Sequence, residues 1–490
     1  MNSRRQFLSA ALIGLSAKAE RTIAGSFVND AFPLGHKLRD RTLAVSPKNV
    51  VKVPIVIVGG GIAGLSAAWR LDKRGFNDFV LLEMEGEAGG NARSGSNEVT
   101  SYPWAAHYIP VPSESARYVR ELMEEFGVLK DGEWNERYLC YSPQERLFLH
   151  GRWQEDIEPS DSSTPRDREQ MKRFAELIRE HEETGEFTVP MELGAKPSKL
   201  DRTSMLDWLN AQGFDSKYLR WYVNYACRDE YGAGMSDISA WAGIYYFAAH
   251  AELDDKGPIT QPDGNGWIVK RLVNKLQRHI RTNAPVASIR KTGSKIRVLT
   301  PDTEYVCDTL IFAAPLLLAK YLMDDAPPVA TQYSPWITAN LTLDRMPRER
   351  GLDLAWDNVI YDSQSLGYVV ATHMSLRSRI DRSVWTWYAA VNDRKMLLEK
   401  PWDHWRDTIL NDLERAHPDI RQCVSRIDVM RFGHAMARPV PGSIFSESRM
   451  RLTKPHGRVL FAHSDVSGFS VFEEAQYRGV IAADRALRMA

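Results

Sequence analysis

The stretch that decides the fold is residues 53–64, which read VPIVIVGGGIAG. Its first half, Val53 to Val58, is a short apolar run rich in β-branched residues, which predicts a strand buried on both faces. Three glycines follow, and residues 65–74 then predict a helix that ends at Gly75. A strand that turns through glycines into a helix is typical of the first unit of a dinucleotide-binding fold.

The glycines of this turn have separate roles. Gly59 permits the tight turn, Gly61 lets the backbone approach a pyrophosphate, and Gly64 lets the helix pack closely on the strand. Ile62 and Ala63 lie just before the predicted helix, whose N-terminal N–H groups and dipole favour phosphate. The turn therefore predicts a pyrophosphate-binding site.

An acidic residue completes the unit. A second predicted strand, residues 79–82, ends at Glu83, whose carboxylate can accept hydrogen bonds from a ribose diol. No second unit of this kind follows, because Gly264-Asn265-Gly266 lacks both a preceding strand and a third glycine. This argues against a reductase that binds a nicotinamide nucleotide beside its first dinucleotide.

The residues after this acid resemble a known signature. Residues 83–94, EMEGEAGGNARS, resemble the acid-then-Gly-Gly motif of the flavin-containing amine oxidase family, which includes protoporphyrinogen oxidases and carotenoid desaturases. The resemblance continues at residues 102–109, YPWAAHYI, and recurs at residues 264–315 and 457–465. It implies that the chain is an FAD-dependent enzyme. The Gly89-Gly90 turn would pass beside the FAD diphosphate, where a side chain would clash.

The resemblance also assigns cofactor contacts outside the first unit, to Asn91, Val286 and Asp465. The chain departs from the family pattern in the same blocks. Glu87 and Asn91 stand where the family often carries arginines, and Asp465 takes the place of the usual Gly-Glu pair.

Five residues are candidates for catalysis. His107 and Tyr108 follow from the likeness of residues 102–109 to the loop beneath the flavin ring, and Asn340 aligns with a lysine that many amine oxidases place near flavin N5. Trp385 shares a strand face with Trp387 and could line an aromatic box for a cationic amine, with core packing as the alternative. His463 could donate a proton near the pyrimidine end of the flavin, or be a satisfied core histidine.

The predicted fold class is α/β, with a Rossmann-type FAD-binding domain built from three separated segments. The substrate domain is expected to be α+β, a mixed sheet with a helical cap. Its first part shows helical periodicity and its second part shows alternating runs that predict antiparallel strands. The predicted boundaries are a leader at 1–19, FAD-binding segments at 50–112, 262–325 and 439–490, and substrate-domain segments at 113–261 and 326–438.

The N-terminal residues predict an export signal. Residues 3–8, SRRQFL, carry twin arginines, and the apolar stretch that follows is too short to span a bilayer. Ala17-Lys18-Ala19 then offers a small-x-small cleavage site. This pattern favours a periplasmic protein that the twin-arginine (Tat) machinery exports, with an ordinary N-terminal helix as the alternative. No later segment is apolar for long enough to predict stable membrane insertion.

Composition excludes several classes of partner. The 63 Lys+Arg balance 63 Asp+Glu, so no electrostatic footprint for nucleic acid exists. The four cysteines are widely spaced without a CxxC pair, so no metal site is expected.

The leading hypothesis is an exported FAD-dependent oxidoreductase that takes a hydride from a small-molecule substrate. We expect it to oxidise a C–N bond of an amine or polyamine and to pass electrons to oxygen, a quinone or a carrier protein. One alternative is a desaturase or oxidase of an apolar carotenoid- or porphyrin-like substrate. Another is an FAD-free binding protein on the same fold, which the intact glycines and Glu83 disfavour.

Overall fold

The computed structural model describes residues 22–28, 31–249, 257–348, 351–376 and 379–489. The predicted leader lies outside these residues. The helices in this part of the chain are α1 (Phe32–Arg39), α2 (Ile62–Lys73), α3 (Arg117–Glu125), α4 (Pro165–Glu183), α5 (Met205–Ala211), α6 (Lys217–Tyr231), α7 (Ala240–Ala248), α8 (Gly266–Leu276), α9 (Ala319–Leu322), α10 (Arg394–Glu399), α11 (Trp402–Glu414), α12 (Ile420–Cys423), α13 (Glu447–Leu452) and α14 (Phe472–Met489).

The described residues also form strands that belong to five sheets. The strands are β1 (Ala24–Phe27), β2 (Asn49–Lys52), β3 (Ile55–Val58), β4 (Phe79–Leu82), β5 (Ser94–Ser96), β6 (Ser101–Pro103), β7 (Leu129–Lys130), β8 (Glu133–Trp134), β9 (Glu145–Leu149), β10 (Arg152–Glu155), β11 (Ile280–Arg281), β12 (Ser288–Thr292), β13 (Lys295–Leu299), β14 (Thr303–Cys307), β15 (Thr309–Phe312), β16 (Gln332–Leu343), β17 (Asp357–Ile360), β18 (Tyr368–Val370), β19 (Ser383–Ala390), β20 (Val424–Arg438) and β21 (Val459–Phe461).

A five-stranded parallel sheet forms the nucleotide-binding part of the molecule, in the order β11-β4-β3-β15-β21. Ile55 and Ile57 of β3 point to a core shared with α2, α8 and α14, whereas Val56 and Val58 point to the four-stranded sheet β12-β13-β14-β2. Because β3 is buried on both faces, its sequence is apolar throughout rather than alternating. The helices, the parallel sheet and the four-stranded sheet form three layers. These layers hold the carboxyl ends of the parallel strands beside the first glycine turn.

An eight-stranded mixed sheet forms the second part, in the order β1-β20-β16-β19-β18-β17-β9-β10. One face packs against α10, α11 and α12. The other face meets the loop after β6 and the helix α6. Side chains alternate between these faces along each strand, so neighbouring residues of β19 belong to different environments.

The structure corrects the helical cap predicted for the first insert. This insert contains the helices α3, α4 and α5, but it also supplies β9 and β10, which join the eight-stranded sheet beside β17. In the second FAD-binding segment, α8 ends at Leu276 and Ile280 begins the edge strand β11. Among the described residues, no helix combines the length and apolar character needed to cross a bilayer.

Candidate active site

The first glycine turn lies between β3 and α2. The Gly59 N–H donates to the Leu82 carbonyl at 2.8 Å, and Gly59 has a φ of +103°, which favours glycine. A Cβ on Gly64 would lie 1.9 Å from the Gly59 carbonyl oxygen, so the helix can approach only without a side chain there. By contrast, no described heavy atom lies within 4 Å of the position of a Cβ on Gly61. This open space at the start of α2 is where a pyrophosphate would bind.

Glu83, at the end of β4, holds the same turn. Its two carboxylate oxygens accept the Gly60 N–H at 2.7 Å and the Glu85 N–H at 2.8 Å. Burial raises the pKa of Glu83, and these two hydrogen bonds oppose that rise. Because each carboxylate oxygen has a second lone pair, Glu83 can still accept from the hydroxyl groups of a ribose.

The second glycine pair packs directly on the first turn. Gly89 and Gly90 have φ values of +131° and +55°, and the Gly89 N–H donates to the Gly60 carbonyl at 2.8 Å. A Cβ on Gly90 would lie 3.2 Å from the Gly61 Cα. The two turns therefore border the same open space, and the positive φ values of Gly59, Gly89 and Gly90 would strain any other residue at those positions.

Arg93 is a site residue that the sequence reasoning missed. It is buried, donates through Nε to the Gly90 carbonyl at 3.0 Å, and forms an ion pair with Glu85. It also lines a cavity of about 290 Å³ beside the Gly-Gly turn. The signal was present, because Arg93 is the one cation in the sequence between Glu83 and Ala116. Arg93 provides positive charge beside the Gly-Gly turn, which Glu87 and Asn91 do not.

Asn91 and Val286, which the family resemblance assigns to the cofactor, lie in different layers. The Asn91 Nδ2 donates to the Ala435 carbonyl of β20 at 2.9 Å, which ties the glycine turn to the eight-stranded sheet. Val286, the second residue assigned through the family resemblance, is buried in the core beneath β3 and β4. The structure thus places Asn91 at the turn and Val286 in the layer behind it.

Asp465 supplies an ionised acceptor in a buried position. Its Oδ2 accepts from the Leu316 N–H at 2.9 Å and from the Tyr333 hydroxyl at 2.6 Å. Burial opposes ionisation, but the neighbouring His463 ring and these hydrogen bonds lower the pKa of Asp465. Its buried Oδ1 accepts no hydrogen bond from the described residues and lies 3.1 Å from His463 Nδ1. An unused acceptor of this kind suits a ribityl hydroxyl, so the residues present fit FAD.

The loop after β6 is fixed at successive carbonyl groups. The Asn265 N–H donates to the Ala106 carbonyl at 3.1 Å, and the Asn265 side chain donates to the Tyr108 carbonyl at 2.9 Å. Between them, the Thr260 hydroxyl donates to the His107 carbonyl at 2.6 Å. The backbone that carries the side chains of His107 and Tyr108 is therefore held at three successive carbonyl groups.

Asn340 is buried next to this loop. Its Nδ2 donates to the Pro103 carbonyl at 3.0 Å, and its Oδ1 accepts the Thr386 hydroxyl at 2.6 Å. Both ends of the amide are thus engaged by protein. Asn340 therefore links the eight-stranded sheet to this loop. Its position near flavin N5 stays a prediction.

His107 lies at the centre of an aromatic cluster. We define this cluster as His107, Tyr108, Tyr225, Trp356 and Tyr388. The His107 ring centroid lies 5.1 Å from that of Tyr388 and 5.6 Å from that of Trp356. Burial lowers the pKa of His107 to about 4, so the ring is neutral at neutral pH. Its Nδ1 lies 2.9 Å from the Ala105 carbonyl, so Nδ1 carries the proton and Nε2 keeps a lone pair.

Carboxyl groups border this cluster, and the sequence reasoning did not identify them. The Tyr388 hydroxyl lies 3.4 Å from Asp357 Oδ2. Burial raises the pKa of Asp357 well above its usual range, and the charges of Glu145 and Asp229 raise it further. Burial also raises the pKa of Asp229 to about 7 and that of Glu230 to about 8. Nothing local in the sequence marked these acids, because they meet only when α6 packs on β17.

Trp385 does not reach the cluster. It is fully buried on the opposite face of β19, where its ring lies 4.3 Å from that of Tyr368. Trp387 shares that face and donates through Nε1 to Asp412 of α11 at 3.0 Å. The predicted aromatic box from these two tryptophans is therefore wrong. Tyr388, the residue after Trp387 in β19, points to the other face and belongs to the aromatic cluster.

The first turn of α14 also carries two buried acids. Glu474 accepts the Ser467 hydroxyl and the Met191 N–H, both at 2.5 Å, and so joins the helix to the cap. Burial raises the pKa of Glu473 to about 7. An acid in this turn can receive the stabilisation that a helix N-terminus offers to negative charge.

The family model for flavin containing amine oxidoreductases matches residues 62–487. The chain belongs to this family. Membership identifies FAD as its cofactor and oxidoreduction as its class of chemistry, and it confirms the resemblance first seen in residues 83–94.

Individual relatives are more distant. A probable flavin-containing monoamine oxidase A from Dictyostelium discoideum is 24% identical over 279 residues, which cover 54% of this chain and 58% of that protein. L-amino acid oxidase Lm29 from Lachesis muta is 34% identical over 113 residues, 21% of either chain. The chain thus spans less than two thirds of these curated relatives.

Solved structures share the fold over most of the chain. Wild-type putrescine oxidase bound to putrescine superposes with a TM-score of 0.70 at 18% identity, covering 90% of this chain and 100% of that one. Cyclohexylamine oxidase from Brevibacterium oxydans IH-35A gives 0.69 at 14% identity, covering 89% and 99%. These likenesses confirm the predicted α/β fold class.

Proposed function

We propose that this protein uses FAD to oxidise a C–N bond of an amine. The single observation that carries the proposal is the aromatic cluster with Asp229, Glu230 and Asp357 at its edge, beside the loop of His107 and Tyr108. Ring faces and carboxylates together recognise an ammonium group, through cation–π attraction and charge pairing. The two solved structures named above are a putrescine oxidase and a cyclohexylamine oxidase, which agrees with this substrate class.

The residues of the site have distinct tasks in such a reaction. Bound FAD supplies the hydride acceptor. The fixed loop positions the rings of His107 and Tyr108, and the buried cluster excludes water from the reacting carbon. The carboxyl groups of Asp229 and Glu230 exchange protons near neutral pH, so they can take a proton from the substrate ammonium. His107 stays neutral and repels no cation.

Other functions fit the site less well. A carotenoid- or porphyrin-like substrate would bury its apolar surface against three carboxyl groups, which is costly. An amino-acid substrate would need a cation for its carboxylate, and Arg228, which lies beside Asp229, donates instead to the carbonyls of Ser363 and Ser365. An FAD-free binding protein would have no use for the open space at Gly61.

The proposal includes export through the twin-arginine pathway to the periplasm. The residues that support it are Ser3 to Leu8 and the small-x-small site at Ala17 to Ala19. Strand β1 pairs in parallel with β20, so residues soon after the leader already belong to the eight-stranded sheet. A pathway that carries folded proteins suits a chain that must first bind FAD.

A spectroscopic assay tests the proposed reaction. The purified FAD-containing protein is mixed without oxygen with a panel of primary amines, and the visible absorption of oxidised flavin is followed. Amines should bleach the flavin, whereas a polyene and a porphyrinogen should not. A protein that bleaches with the apolar compounds and ignores every amine would refute the proposal.

A further inference from the structure

The end of the eight-stranded sheet meets the nucleotide-binding part of the molecule at two points. Tyr333 of β16 pairs in register with Ala437 of β20. The Ala437 N–H donates to the Ser470 hydroxyl oxygen at 2.8 Å, and two residues earlier the Ala435 carbonyl accepts from Asn91 at 2.9 Å. These two strands therefore contact both the Gly-Gly turn and the segment that precedes α14.

The Tyr333 side chain adds a third contact. Its hydroxyl donates to Asp465 Oδ2 at 2.6 Å, and the Leu316 N–H donates to the same oxygen at 2.9 Å. Burial and the charge of Asp465 raise the pKa of Tyr333 far above its usual range, so the hydroxyl keeps the proton that it donates. A hydrogen bond from a hydroxyl group to an ionised carboxylate is among the stronger ones in proteins.

The two donors fix the orientation of the Asp465 carboxylate. They come from different elements, since Leu316 follows β15 of the parallel sheet and Tyr333 lies in β16. Together they can use both lone pairs of Oδ2. Oδ1 is buried and accepts no hydrogen bond from the described residues, so it is the oxygen that stays available for a ligand. A buried acceptor without a donor is costly, and such a group normally has a partner.

We infer that Tyr333 is a positioning residue for FAD, whose hydroxyl orients Asp465 so that Oδ1 accepts from a hydroxyl group of the ribityl chain. FAD is the cofactor of the family, so this role of Tyr333 is independent of which substrate the enzyme oxidises. Tyr333 belongs to the predicted substrate-domain segment, residues 326–438. The eight-stranded sheet thus contributes to cofactor binding as well as to the aromatic cluster.

Removal of the Tyr333 hydroxyl tests this role. Tyr333→Phe should bind FAD with a dissociation constant roughly tenfold above that of wild type, as expected for loss of one hydrogen bond to a charged group. The measurement is the fluorescence of FAD released when the purified protein is diluted. Tyr218→Phe, which removes the hydroxyl of a buried tyrosine 3.1 Å from His150, is the matched control and should retain FAD as wild type does. An unchanged dissociation constant in Tyr333→Phe would overturn the inference.

An FAD analogue separates positioning from a general loss of structure. The analogue carries an unsubstituted pentyl chain in place of the ribityl chain and is titrated into full-length protein from which the flavin has been removed. Tyr333→Phe should bind this analogue as tightly as wild type does, because the analogue offers Asp465 no hydroxyl group. A loss of affinity for the analogue as large as the loss for FAD would assign Tyr333 a structural role and overturn the inference.

Discussion

The nucleotide turn and the carboxyl groups beside the aromatic cluster are built in opposite ways. The turn uses backbone groups from one contiguous stretch, residues 58–90, and its glycines leave space by lacking side chains. Asp229 and Glu230 come from α6 and Asp357 comes from β17, so these carboxyl groups meet only through tertiary packing. A backbone-built site leaves a strict local pattern in the sequence, whereas a side-chain-built site leaves none. The two regions should therefore respond differently to mutation.

The largest expected effect is at the turn. Gly61→Leu should abolish FAD binding, because the side chain fills the open space in front of α2. The measurement is the flavin released per protein on denaturation. Gly35→Leu is the control, since Gly35 also has open space around its Cβ position but lies in α1. Full FAD occupancy in Gly61→Leu would show that the site has been placed wrongly.

The next effect concerns the ion pair beneath the Gly-Gly turn. Arg93→Gln should weaken FAD retention and lower the free energy of unfolding by about 1.5 kcal/mol, because Glu85, whose side chain is 24% exposed, loses its charge-assisted hydrogen bond. Denaturant unfolding measures the loss. The double variant Arg93→Gln with Glu85→Gln should recover part of that stability. If the double variant is less stable than Arg93→Gln, the pair does not act as described.

The buried acid Asp229 should make the stability of the protein depend on pH. The folded-state pKa of Asp229, about 7, lies above its unfolded value. Its contribution to stability is therefore fully present below the unfolded pKa and is lost as the pH rises through about 7. Asp229→Asn should consequently gain stability over wild type at alkaline pH, on the order of 2 kcal/mol, and little in acid.

Thermal unfolding of the FAD-containing protein across the pH range checks this sign. Glu183→Gln, on the exposed side of α4, is the control and should have the stability of wild type at every pH. A stability difference for Asp229→Asn that shrinks as the pH rises would contradict the assignment of a buried, proton-holding acid.

The smallest effect concerns the electron acceptor. Asn340 is neutral, so no cation at this position favours electron transfer to oxygen. The reduced enzyme should react more slowly with oxygen than with a quinone at equal concentration, as stopped-flow mixing would show. Asn340→Lys should speed the oxygen reaction, whereas Asn340→Leu, which also loses the bond to Pro103, should not. Equal gains in both variants would assign the effect to the loop rather than to charge.

The same contrast explains what the sequence could predict. The strand, the glycines and Glu83 lie in one stretch of chain, so their register alone indicated a dinucleotide site. Trp385 was misplaced because an alternating strand shows which residues share a face but not which face meets the site. Arg93 was missed because the expected arginines were sought at other positions of the turn. Asp229, Glu230 and Asp357 had no local pattern to reveal them.

The most direct test of the central claim is anaerobic reduction of the bound flavin by a panel of primary amines, with 1-aminobutane and 1,4-diaminobutane among them. The account predicts rapid and complete loss of the oxidised-flavin absorption with at least one of these amines. Air should then restore the absorption, more slowly than a quinone does. An unchanged flavin spectrum in the presence of every amine of the panel, in a protein with full FAD occupancy, would contradict the account.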